Sequence, residues 1–115
     1  MQMMSHAVRA YQASSGRRGL REQEADVFHR VNGALRSARG AGAAARARAL
    51  ADNRLLWDAV VGLVRDPSNA MPVPLRAQIA SIGLAVRKNM EGENPDWDFL
   101  IAINEQIAAG LYGQG

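Results

Sequence analysis

An all-α fold, a small bundle of four to five helices, is what this sequence predicts. Apolar residues recur at spacings of three and four through most of the chain, and no stretch alternates with the period of two that a half-buried strand needs. Proline and glycine fall in clusters that divide the chain into helix-length pieces. The apolar fraction is 48%, but much of it is alanine and only 5% of residues are aromatic, which favours helix while burying little area per contact. At 115 residues the chain fits a single helical domain, 1–115, of ordinary or marginal stability.

The segment 3–13 places Met4, Val8 and Tyr11 at spacings of four and three, one weak stripe on a short helix. So short a helix is marginal alone, so residues 1–16 are expected to be a weak, mobile element that docks on the bundle or frays. A second helix is expected over 18–38. Leu20, Val27, Phe28, Val31 and Leu35 share one face, opposite Glu22, Asp26, Arg30 and Arg36. Gly33 inside it costs about 1 kcal/mol relative to alanine. Gly40 and Gly42 mark the next turn.

The helix over 43–65 carries two apolar stripes, Leu50, Trp57, Val61 and Val64 beside Leu56, Val60 and Leu63, and is expected to be buried on several sides. Asp66-Pro67 ends it, because the residue before proline is pushed out of the helical region. After the loop DPSNAMP, a helix begins with Pro74 in its first turn and presents Leu75, Ile79, Ile82, Val86 and Met90 on one line. Gly83 removes bulk where a neighbouring helix can approach, Arg87 and Lys88 complement the helix dipole, and Gly92 stops the helix. The last helix is expected to start at Asn94 as N-cap, with Pro95 next and Asp96 and Asp98 in the first turn. Its core stripe is Leu100, Ile103, Ile107 and Leu111. A second stripe, Trp97, Ile101, Ala108 and Tyr112, exceeds what a terminal helix of a small bundle usually buries, so it is either further core, covered by the first helix, or a groove for a partner. Trp57, Ile79, Ile82 and Val86 are the expected core.

Several chemistries find no residues here. Without cysteine there are no disulfides, thiolate nucleophiles or cysteine-based zinc sites. His6 and His29 are the only histidines and are expected to be solvated. Glu22, Glu24 and Asp26 alternate along one helix and splay apart, and no phosphate-binding loop is present. A non-enzymatic protein without metal or cofactor is the expectation. No apolar run approaches the ~20 residues of a membrane span, and the N-terminus lacks signal-peptide character, so the cytoplasm is the expected address. The net charge of +3 is a mild basic excess. Arg17, Arg18 and Arg21 with Arg46, Arg48 and Arg54 supply phosphate-binding side chains. Trp57 and Trp97, however, sit at apolar positions rather than as stacking platforms, so RNA is the weaker partner.

Four segments together resemble the FlaF family of flagellar biosynthesis regulators. Asn53-Arg54-Leu55-Leu56-Trp57 is similar to that family's Asn-Arg-x-Leu-Trp element. DPSNAMPVPLRAQIASIGL, with Pro72, Leu75, Arg76 and Ile82, is similar to its loop leading into the next helix. LIAINEQIAAGL, with Asn104 and Ile107, resembles its C-terminal LIEIN…I…GL pattern, and REQEADVFHRVNGAL its second helix, with Glu24 as the counterpart acid. Two positions depart: Ala102 stands where glutamate is common, and Ala85 where a tryptophan often follows the helix serine.

The resemblance implies a cytoplasmic protein needed for filament production, acting alongside the translational regulator FlbT. The best-fitting role is a secretion chaperone that binds flagellin's terminal amphipathic helices. The alternative is control of flagellin translation through its messenger RNA or FlbT. The residues expected to meet a partner are Trp97, Ile101, Leu111 and Tyr112, with Met4, Val8 and Tyr11 as a displaceable cover.

Overall fold

A computed structural model describes residues 17–113, with side chains over 24–110. The described residues form four helices and no strand: α1 (Arg17–Ala38), α2 (Ala43–Arg65), α3 (Val73–Glu91) and α4 (Trp97–Gly113). The expected N-terminal helix, with Met4, Val8 and Tyr11, lies outside the described residues.

Each boundary has a local cause. After α1, backbone bonds from Arg39 N to Leu35 O and from Ala41 N to Ala38 O wind the chain into a short turn that enters α2 at Ala43. α2 ends where Asp66, before Pro67, turns extended. The Asp66 carboxylate then accepts the backbone N–H and the hydroxyl of Ser68, and the Asn69 amide returns to the carbonyl of Leu63. Arg76 reaches back from α3 to the carbonyls of Val64 and Asp66, placing a cation on the negative end of α2. Pro74 lies in the first turn of α3, as the sequence suggests. The start of α4 differs from expectation. Asp96, not Asn94, caps the helix: its carboxylate accepts the N–H of Phe99 at 3.1 Å, and its own N–H is held by Asn89 Oδ1 at 2.7 Å. An ionised acceptor at a helix N-terminus holds the end more firmly than a neutral amide.

α1 pairs along its length with α4 and with α2, and α2 pairs with α3; α3 and α4 have no comparable pairing. The core is built from Ala25, Phe28 and Leu35 of α1, Ala49 and Trp57 of α2, Val86 and Met90 of α3, and Trp97, Leu100, Ile101 and Ala108 of α4. The Phe28 and Trp57 rings meet edge to face, centroids 5.9 Å apart. Gly83 lets α3 lie close on α2: a Cβ there would overlap Val61 Cγ2.

Two expectations about the core need correction. α2 buries only one face, at Ala49, Asn53, Trp57 and Val64, while Leu63 is 55% exposed, because α3 and α1 cover adjoining sides and leave the rest to solvent. Ile79 and Ile82 pack against the core but are only half-buried, unlike Trp57 and Val86, because none of the described helices closes the fourth side of the bundle against them.

Candidate partner-binding surface

The middle of the bundle is polar. Asn32, Asn53 and Asn104 lie on the apolar faces of α1, α2 and α4 and are at most 1% exposed. Asn104 Oδ1 accepts the indole N–H of Trp57 at 2.8 Å, while Asn104 Nδ2 donates to Asn53 Oδ1 at 2.8 Å and Asn32 Oδ1 at 3.2 Å. Asn32 Nδ2 donates to the carbonyl of Ile101 at 3.0 Å, and Asn53 Nδ2 to Met90 Sδ of α3 at 3.3 Å. Every side-chain amide in this hub has a partner for both its oxygen and its nitrogen, which is the condition for a buried network not to destabilise. Asn53, Trp57 and Asn104 were singled out by motif; Asn32 was not. The missed signal is its spacing: it sits four residues after Phe28 and three before Leu35, a polar residue on the buried line.

Of the two readings of the second stripe of α4, the described residues take the core one. Trp97 is 7% and Ile101 9% exposed, and Ala108 is fully buried, because α1 lies along this side of α4. The contacts on that side are the Asn32–Ile101 bond and the exposed ion pairs Arg36–Glu105 and Arg39–Asp98. The Arg46 guanidinium stands 5.5 Å from the Trp97 ring centroid, and the buried Trp97 indole N–H has no hydrogen-bond partner among the described residues. Leu111 and Tyr112 fall in the last turn of α4, and their side chains lie outside the described set.

Of the stripe expected in the core, Leu100 is fully buried, but the rest of the described residues are less enclosed. Ile103 and Ile107, expected in the core, are half-buried on the side away from α1, and Phe99 beside them is likewise half-buried. On α3, Leu75, Ile79 and Ile82 are half-buried along the same unpaired side of the bundle. Two helices that leave each other are thus each lined with large apolar side chains. Ala85 and Ala102, the two family departures, are both exposed.

The described ion pairs lie at the rim. The Arg39–Asp98 hydrogen bond and charge attraction hold the Asp98 carboxyl below its usual value and raise the guanidinium. The Ser68 backbone N–H and hydroxyl lower Asp66 in the same sense. Arg46, Arg48 and Arg54 do not form one basic stripe: Arg46 covers Trp97, Arg48 lines a shallow cleft of about 250 Å³ against α1, and Arg54 is exposed on a third side. That cleft has an alanine floor, Ala34, Ala38, Ala45 and Ala49, with Asp52 at its edge. No described group of acids or histidines is placed to hold a metal ion, and no described helix is long and apolar enough to cross a membrane.

No curated protein and no solved structure matches the chain. The family model described as flagellar protein FlaF matches residues 7–111, nearly all of it. Its span takes in the three asparagines of the hub, the clamp of Arg76 on α2 and the unpaired side between α3 and α4. The chain belongs to the FlaF family of flagellar proteins.

Proposed function

We propose that the protein is a non-catalytic, cytoplasmic chaperone that binds flagellin by an amphipathic terminal helix and holds it for secretion. The observation that carries this reading is the unpaired side between α3 and α4. There Ile79, Ile82, Ile103 and Ile107 stand half-buried in a flagellar family's fold. An amphipathic helix laid along that side completes the bundle and hides the surface that the guest otherwise uses for assembly. The amount held then follows mass action against free guest.

Titration of the protein with flagellin, intact and lacking its terminal helices, tests the reading. Saturable binding that disappears with the termini, and weakens at least about tenfold in Ile79→Asp and Ile107→Asp while the fold persists, is expected. Binding that ignores both changes rules the groove out. The alternative, a translational regulator acting through flagellin messenger RNA or FlbT, is separated by the same titration with labelled leader RNA. A shift at low salt whose affinity falls steeply with salt concentration would favour it.

A further inference from the structure

The outer face of the α2–α3 hairpin, turned away from α1 and α4, carries a different surface. Val73, Ala77, Ala80 and Leu84 recur at spacings of four, three and four on α3, and Leu55 and Gly62 lie one heptad apart on α2. The ion pair Asp58–Arg87 bridges the two helices on this face and so fixes which side chains share it. Leu55 is 68%, Val73 64% and Leu84 55% exposed, unusual for three large apolar side chains on one face. Gly62 has no neighbour within 4 Å of where its Cβ would be, so this point of the face is open to close approach.

The charge around this face is one-sided. Arg54, Asp58 and Arg65 follow the α2 side of the seam, and Arg87, Lys88 and Glu91 the end of the α3 side. Asp58 and Arg87 satisfy each other, whereas Arg54, Arg65 and Lys88 make no ion pair among the described residues, which leaves Glu91 to oppose them on this face. We propose that this face is a second docking site. Its occupant is an amphipathic helix of another protein whose apolar stripe is bordered by carboxylates. Leucine and valine supply the apolar contact, and the arginines and lysine select the acidic border over a basic one. The site lies on the side of the bundle opposite the α1–α4 pair and does not depend on what the α3–α4 side receives.

The test uses the full chain and two fluorescent helical peptides with the same leucine stripe, one bordered by glutamates and one by lysines. The glutamate peptide is expected to bind, with affinity falling as salt rises, and the lysine peptide to bind at least about tenfold more weakly. Leu55→Asp with Leu84→Asp should abolish binding while helicity, melting temperature and flagellin binding stay unchanged. Arg54→Glu with Arg65→Glu should reverse the preference between the peptides. Equal binding of both peptides, or binding indifferent to the leucine substitutions, overturns the proposal. So does a concentration-dependent dimer that Leu84→Asp alone converts to monomer, since the occupant would then be a second copy of this chain.

Discussion

Asn104 has the most demanding position in the chain, because one side chain satisfies Trp57, Asn32 and Asn53 at once. Truncation to alanine strands three buried polar groups together, each worth about 1–3 kcal/mol when left unmade. Asn104→Ala should lower stability in urea by about 3 kcal/mol or more, and a loss below about 1 kcal/mol would mean that water replaces the amide. Glycines split into two kinds. Gly83→Ala should cost about 1–3 kcal/mol by forcing Val61 away, and Val61→Ala should recover most of the loss. Gly33 is exposed with nothing near its absent Cβ, so Gly33→Ala should stabilise α1 by about 0.5–1 kcal/mol. The close approach at Gly83 was legible in the sequence, since a glycine stands amid an apolar stripe. The hub was not, because periodicity marks which residues face inward and says nothing about which inward amides meet.

At the scale of helices, existence and extent were largely legible, and the residue holding each end was less so. The alternation of apolar stripes with proline and glycine clusters locates α1, α2 and α3 almost to the residue. α4 was expected to begin at Asn94, and the choice of Asp96 depends on Asn89 accepting the Asp96 N–H, a contact seven residues away that no capping pattern contains. Asp96→Ala should therefore cost about 1 kcal/mol, whereas Asn94→Ala should be nearly neutral, both read by thermal melts. Asp98 and Asp66 have folded-state values below those of the unfolded chain, so their stabilisation is complete above the ordinary carboxylate range and is lost as pH falls through the folded values. Melting temperature should accordingly drop below about pH 4, and Asp98→Asn should make that drop shallower. Arg39, shifted upward, keeps its charge throughout that range. That Trp97, Ile101 and Ala108 are enclosed while Ile103 and Ile107 are only half-buried was illegible for a related reason. Both stripes are apolar, and only the placement of α1 decides which one is enclosed.

For the molecule as a whole, α1, α2 and α4 share the asparagine hub through nitrogen–oxygen bonds, while α3 joins it by a single bond to a methionine sulfur. Among the described helices, α3 is also paired closely only with α2. Hydrogen exchange should report this directly: amides of α3 are expected to open at lower free energy than those of α1 and α4, which should exchange only with global unfolding. Uniform protection across all helices would contradict it. Under the function proposed above, a guest laid beside α4 meets α3, the one described helix outside the nitrogen–oxygen pin, so taking it up and keeping the other three helices together are separate events. Release then leaves the pin intact, and the same molecule is ready for the next guest.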